Sequence, residues 1–334
     1  MKTYKVLQQS HWENARFALV PIRSEDRLAI MQWRNEQIYH LRQAKPLTVE
    51  DQEQYFKNVV AQLFDQEQPN QILFSFLENG NCIGYGGLVH INWIDKNAEI
   101  SFIMNTALEK ERFHELWSAY LDLLEKVAFE DLKLHKIYTY AFDLRPHLYT
   151  MLQRNNYTEE ARLKEHCFFD GTFLDVVFHV KLNTNTILRK ANKNDLEVTY
   201  TWANNPDIRR YSVTKESIPF ENHSKWFLHK INADSCYYLI AEMNQQPVGS
   251  IRFDIDEHQT AVISYLVDPK FQGKGLGRFL LFEGVKILLK EKPLAKISGM
   301  VFKENTASMK AFTQLGYHKI DQGDSFVYFE KIIK

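Results

Sequence analysis

The chain has 334 residues, enough for about two domains that each bury a core without disulfides or metals. Hydrophobic residues at 45% and charged residues at 25% are ordinary globular usage, and 13 glycines and nine prolines exclude a collagen-like or linker-like chain. With 41 Lys+Arg against 42 Asp+Glu the net charge is −1, which excludes a chain that is basic throughout, as a general nucleic-acid binder is.

The first 17 residues, MKTYKVLQQSHWENARF, lack the apolar stretch of a signal peptide, and no run of about 18 apolar residues follows. The expected location is therefore the cytoplasm, with no membrane and no nucleic acid as partner. Cys82, Cys167 and Cys236 are odd in number and widely spaced, so neither a disulfide framework nor a metal site is expected. Charge divides unevenly. Residues 1–184 carry 20 Lys+Arg and 25 Asp+Glu, a balance of −5, and residues 185–334 carry 21 and 17, a balance of +4. The second half could meet a polyanionic small molecule, or the difference is drift between two domains.

An internal repeat runs through the chain at a period of about 160–170 residues. Trp33-Arg34-Asn35 recurs as Trp202-Ala203-Asn204, and Leu47 to Tyr55-Phe56 recurs as Ile218 to Trp226-Phe227. Ile83-Gly84 matches Val248-Gly249, Glu99–Met104 matches Val262–Val267, and Asn155-Asn156-Tyr157 matches Leu315-Gly316-Tyr317. The order is the same in both halves, so two copies of one domain are expected, 1–184 and 185–334. Each copy reads as an opening strand, a helix carrying Trp-x-Asn and an amphipathic helix, then hairpin strands. In the second copy these strands are Tyr237–Met243, Val248–Asp254 and Ala261–Val267. Helix Leu276–Lys290, strand Ile297–Phe302, helix Ala307–Leu315 and strand Phe326–Lys331 complete it. The fold class is α/β (α+β), with a mixed, mainly antiparallel sheet flanked by helices in each copy.

The strongest local signal is Asp268-Pro269-Lys270-Phe271-Gln272-Gly273-Lys274-Gly275-Leu276-Gly277-Arg278, after a strand and at the start of a helix. Amides at a helix N-terminus lack intrahelical partners and sit at the positive end of the dipole. Glycines let a phosphate approach that backbone, and Lys274 and Arg278 add charge. The absence of GK[ST] argues against a nucleoside-triphosphate loop. The competing reading is a tight strand-to-helix turn. The matching slot of the first copy, Lys110–Trp117 (KERFHELW), has no glycine, so the fold does not itself demand them.

Val267–Arg278, with its Gln-x-x-Gly-x-Gly pattern, resembles the acetyl-CoA loop of the GNAT acetyltransferase superfamily. Asn305–Phe312 with Leu315-Gly316-Tyr317 resembles the family's next motif. The resemblance covers most of residues 187–334. It implies two strands that splay apart around pantetheine, with backbone groups of Leu266 and Val267 on the pantetheine arm. It implies amides of Gln272, Gly273, Lys274, Gly275, Leu276 and Gly277 on the diphosphate, Asn305 facing the arm, and an oxyanion amide near Leu266. Residues 16–181 resemble the branch that acetylates ribosomal-protein N-termini, yet Arg145-Pro146 replaces the Asn motif and the loop glycines are missing. This implies a degenerate first copy that serves as scaffold, cleft lining or partner surface.

The resemblance also implies direct attack by a neutral amine, with a Glu as base and a Tyr as acid. Their positions hold Val262 and Phe312, while the first copy keeps Glu99. Replacement candidates are Ser308 as proton donor, and Glu242 or His223 as base through water. The competing readings are a helix-surface or turn-capping Ser308, a solvated Glu242 and a surface His223. The second copy further resembles acetyltransferases of nucleotide-linked 4-amino-sugars, which implies Trp202, Asn204, Trp226 and Arg252 near the acceptor. Recurrence of the aromatics as Trp33 and Tyr55 favours core roles for Trp202 and Trp226 instead. The acceptor is expected to be a small-molecule or peptide amine. The chain is expected to be a monomer with a pseudo-dimeric domain pair or a homodimer. An acyl-CoA-responsive binding module without turnover is the alternative from another class.

Overall fold

The computed structural model describes residues 2–14, 16–41 and 43–333, without the side chains of residues 321 and 322. The chain divides into two units, Met1–Asn183 and Thr184–Lys334.

The first unit opens with β1 (Trp12–Glu13) and β2 (Phe17–Pro21), then α1 (Arg27–Glu36). Next, α2 (Val49–Tyr55) continues through a π turn into the short α3 (Ala61–Leu63). A Thr48–Asp51 capping box starts α2, each side chain accepting the other's backbone N–H. Strands β3 (Ile72–Glu78), β4 (Asn81–Asn92) and β5 (Asn97–Met104) form a meander that leads into α4 (Thr106–Glu125). Strand β6 (Lys136–Phe142), α5 (Pro146–Arg154) and the long hairpin β7 (Thr158–Phe169) and β8 (Thr172–Leu182) complete the unit. Among the described residues its sheet runs β1-β2-β3-β4-β5-β6-β8-β7, and only the β5–β6 pair is parallel.

The second unit repeats this plan. It comprises β9 (Thr186–Lys190), α6 (Leu196–Asn204), α7 (Pro206–Arg209), α8 (Phe220–Asn232), β10 (Cys236–Met243), β11 (Gln246–Ile255) and β12 (Thr260–Val267). It continues with α9 (Leu276–Glu291), β13 (Lys296–Phe302), α10 (Thr306–Gln314), β14 (His318–Gln322) and β15 (Phe326–Ile332). The sheet order is β14-β15-β13-β12-β11-β10-β9, again with one parallel pair, β12–β13. Strand β14 was not expected: HKIDQ lacks the apolar alternation that marks a strand. Alternation elsewhere sets the faces. Leu239, Ile251, Phe253 and Ile263 turn inward to a core closed by Leu280, Leu281 and Leu288 of α9 and by Phe312.

The Trp-x-Asn repeat has one physical use in both units. Asn35 Oδ1 accepts from Leu47 N–H (2.7 Å), and its amide donates to Leu47 O (2.9 Å). Asn204 does the same to Ile218, at 2.7 and 3.2 Å. Each asparagine thus pins the loop between two helices as a backbone strand would. Each unit also ties a buried aspartate to an arginine in bidentate fashion: Asp26 with Arg23 (2.7 and 2.8 Å), and Asp195 with Arg189 (2.7 and 2.8 Å).

Strands β12 and β13 pair only from Thr260↔Lys296 to Ile263↔Gly299, and Ser264–Val267 have no partner on β13. A Cβ at Gly299 would lie 2.6 Å from Phe312 Cζ, so the ring packs on bare backbone where the strands part. Alanine at Gly299 must displace that ring, and overpacking of this kind costs about 1–3 kcal/mol. Gly299→Ala is expected to weaken amide-exchange protection throughout the second unit and to leave the first unit's protection unchanged.

Candidate active site

The site is built around the parting of β12 and β13. Asp268 N–H donates to Val248 O (2.9 Å), which fixes the antiparallel alternation with β11. Leu266 therefore points its backbone groups at β11, while Tyr265 and Val267 point theirs into the gap. Of the backbone groups expected to face the gap, those of Val267 do so and those of Leu266 do not. The Val267 carbonyl accepts from the Gln272 side-chain amide (3.2 Å), so Gln272 braces the loop as well as contributing its own amide to it.

Beyond the gap, Asp268 caps a single turn, Pro269–Phe271, by accepting from Lys270 N–H (2.9 Å). Gly273 and Gly275 then both take φ = +77°, the left-handed region that side chains disfavour. A Cβ at either would meet nothing within 4 Å, so the backbone there faces open space. Gly275 is the N-cap of α9 and offers no side chain to the amides of Leu276, Gly277 and Arg278. Lys274 lies 5.3 Å from the Phe271 ring, and burial pushes Arg278 down to about 10. Open amides at the start of a 16-residue helix, beside a strand gap, fit a diphosphate joined to an extended arm.

Beneath α9, Tyr265 approaches the backbone of Gly277, where a Cβ would stand 3.4 Å from its ring. Its hydroxyl shares a 2.8 Å hydrogen bond with Ser308 Oγ, and burial pushes the phenol up to about 12. Ser308 is 7% exposed, and its N–H donates to Asn305 Oδ1 (3.1 Å). The reading of Ser308 as a surface residue is therefore overturned. Asn305 caps α10 through that bond. Tyr265 was missed because its position in an apolar strand reads as core. Phe312 is buried against Phe329 and Tyr317, with ring centroids 5.1 and 4.9 Å away.

The residues expected at the acceptor divide into two groups. Trp202 is 2% exposed and donates its indole N–H to Asp268 Oδ2 (2.9 Å). It cannot stack on a ligand; it anchors α6 to the start of the glycine loop. Asn204 is the loop clamp described above. His223 is 3% exposed, bonded to Thr199 Oγ1 (3.1 Å), and burial lowers its pKa, so it is not the surface histidine expected. Glu242 is held by Arg189 (2.7 Å), which also holds Asp195, and is not on a solvated face. The polar groups of all four are engaged within the fold. Trp226 and Arg252 remain partly open. The guanidinium lies 4.8 Å from the Trp226 ring centroid, and Asp254 accepts from both Arg252 (2.9 Å) and Lys230 (2.7 Å). Val262 and Ser264 are exposed along the same face of β12.

In the first unit β5 and β6 part in the same way, pairing only from Asn97↔Lys136 to Glu99↔Tyr138, but the glycine loop is absent. Asn105 caps α4 directly after β5, and Lys110–Trp117 lie inside that helix, so no loop stands at this point. Arg145, at the Asn305 position, is half-buried beside Glu109 (3.8 Å) and His40 (3.3 Å). Phe113 and His147 pack at 4.5 Å between ring centroids. Glu99 survives, hydrogen-bonded to His90 (2.9 Å).

A model described as an acetyltransferase (GNAT) domain matches residues 185–318, and a second model of the same description matches residues 19–178. The chain is a tandem of two GNAT acetyltransferase domains. Acetyltransferase PseH of Campylobacter jejuni strain 81-176 is 28% identical over 151 residues, covering 45% of this chain and 91% of that protein. PseH of a second C. jejuni strain, NCTC 11168, is 27% identical over 141 residues, 42% of this chain and 87% of that protein. The spermidine N-acetyltransferase of Vibrio cholerae, solved with CoA and spermine, is 20% identical and covers 45% of this chain and 96% of its own, with a TM-score of 0.42. Among the described residues no helix is long and apolar enough to cross a membrane.

The first GNAT domain carries a measurable pH signature. Burial first, then the neighbouring Arg145 charge, lower His40 to about 3. An unfolded histidine titrates near 6.5, so between about 6.5 and 3 the unfolded chain binds a proton that the folded unit refuses. This contribution to stability is full above pH 6.5, falls as pH drops toward 3 and is level below that. His40→Gln is expected to flatten the unfolding free energy of the first domain over this window in denaturant titrations at stepped pH.

Proposed function

We propose that the second domain moves an acetyl group from acetyl-CoA to the primary amine of a nucleotide-linked amino-sugar, by direct attack in a ternary complex. The first domain holds no cofactor. The observation that carries the reading is the pair of left-handed glycines facing open space beside the β12–β13 gap. Bound acetyl-CoA supplies an activated thioester. Gly273–Gly277 hold its diphosphate, and the Tyr265 and Val267 backbones hold its arm. Ser308, with Tyr265 behind it, keeps a proton at the gap for the departing sulfur. Glu242 and Asp254 are both held by arginine, so the amine gives up its proton to water rather than to a carboxylate. Orientation supplies much of the rate.

The sugar acceptor is supported by the resemblance of residues 189–254 to amino-sugar acetyltransferases, and by Arg252 stacked on a partly exposed Trp226. An indole and a guanidinium together suit a ring carrying phosphate. In the first domain, the helix that stands in place of the glycine loop and the half-buried Arg145–Glu109 pair support its reading as a degenerate copy.

Release of CoA is expected with UDP-linked 4-amino-sugars. Trp226→Ala is expected to raise KM about tenfold or more with a smaller effect on kcat, as loss of an acceptor contact requires. Release with peptide N-termini but not with amino-sugars would replace the acceptor by a peptide. Tight acetyl-CoA binding without turnover on either panel would leave a binding module.

A further inference from the structure

A second polar cluster lies in the first domain, where α1, α2 and β4 meet, and the transfer reaction has no use for it. Arg34, in the last turn of α1, is half-buried. Its Nε donates to Gln43 Oε1 (3.1 Å) and its Nη1 to the Tyr85 hydroxyl (2.5 Å). Among the described residues no carboxylate stands within ion-pair distance of it; the groups that influence its charge are Tyr85 and Tyr55. Gln43 is engaged on both sides, since its amide donates to Asn35 Oδ1 (3.0 Å), and this fixes the direction of the Arg34 arm.

Tyr85, 6% exposed, accepts from Arg34 and has no acceptor for its own hydrogen among the described residues. Tyr55 accepts from Gln71 Nε2 (3.4 Å) and is electrostatically coupled to both Tyr85 and Arg34. The hydrogens left over are thus of one kind. The Nη2 amino group of Arg34, the Tyr85 hydroxyl and the Tyr55 hydroxyl are all donors, around a formal positive charge. A guanidinium drawn partly out of water normally has a carboxylate beside it, because its desolvation is otherwise uncompensated.

The second domain supplies the contrast. Trp226 occupies the repeat position of Tyr55, and a guanidinium again lies next to it, delivered from β11 by Arg252. There Asp254 answers the charge at 2.9 Å. At Arg34, among the described residues, no carboxylate answers the charge, and the hydroxyl of Tyr85 stands there instead.

We propose that Arg34, Tyr85 and Tyr55 bind an oxyanion, the phosphate monoester or carboxylate of a small molecule. The first domain is then a ligand-binding domain, although it has no glycine loop. A planar, always-charged guanidinium flanked by phenol donors matches such a group in both charge and hydrogen-bond direction.

The test uses the full chain saturated with CoA, which occupies the glycine loop of the second domain and reports on that domain separately. Inorganic phosphate and acetate are titrated in turn, with amide chemical shifts as the readout. One saturable site with a dissociation constant in about the millimolar range is expected, centred on residues 34–55 and 85. Arg34→Gln is expected to weaken it about tenfold or more, and Tyr85→Phe several-fold, with unchanged melting of the Tyr85 variant. Saturation by phosphate alone identifies a phosphate monoester, and saturation by acetate alone identifies a carboxylate. If neither anion saturates, or if Tyr85→Phe retains full affinity, the proposal is wrong. Should Arg34→Gln unfold the domain, the Tyr85 variant decides.

Discussion

The second domain depends on one break in its hydrogen-bonding. A parallel strand pair satisfies backbone groups only while the strands run together, and β12 and β13 stop pairing after Ile263 and Gly299. The break is held open by packing. Phe312 presses on Gly299, Tyr265 supports the first turn of α9, and β13 keeps its full pairing with β15 on the other side. Backbone groups of Tyr265 and Val267 face the resulting slot, and the uncapped start of α9 stands at its outer end. Buried backbone groups left without partners are unfavourable, so the slot calls for a ligand that brings hydrogen-bonding atoms of its own.

The two domains show the same architecture with and without the glycine loop. Both have the Trp-x-Asn helix, the loop clamp, the Arg–Asp pair and a single parallel strand pair. In the first, the chain passes from β5 to Asn105 and into a 20-residue helix at once, so amides that a loop would expose are bonded within α4. Arg145, at the repeat position of Asn305, lies beside Glu109 and His40, and burial together with the Arg145 charge strongly lowers the histidine. The difference at this point is one of where a helix starts rather than one of fold.

Much of this was legible in the sequence because the repeat acts as an internal comparison. The pairing of Asn35 with Asn204 and of Leu47 with Ile218 predicts equivalence, and the structure shows the same two hydrogen bonds in each copy. The glycine loop was legible through its absence from KERFHELW, although those residues turn out to be helical and not a shortened loop. Side-chain roles were less so. The repeat favours a core place for both Trp202 and Trp226, which holds for the first and not for the second; His223 reads as a base or a surface residue, since nothing in a single sequence reveals that Thr199 meets it inside the core. Tyr265 was hidden in an apolar strand, and its meaning comes only from Ser308, brought beside it by tertiary folding. The Arg34 cluster was invisible for the same reason: Tyr85 lies 51 residues away in the chain and is brought to it by folding.

The central claim is that one of two homologous domains retains a cofactor site. Calorimetric titration of the whole chain with acetyl-CoA measures this directly through stoichiometry. The account predicts one molecule per chain, abolished by Gly275→Glu, which places a side chain at φ = +77° and a carboxylate against the diphosphate amides. Two molecules per chain would show that α4 and Arg145 do not close the first slot, and no binding would contradict the reading of the glycine loop itself.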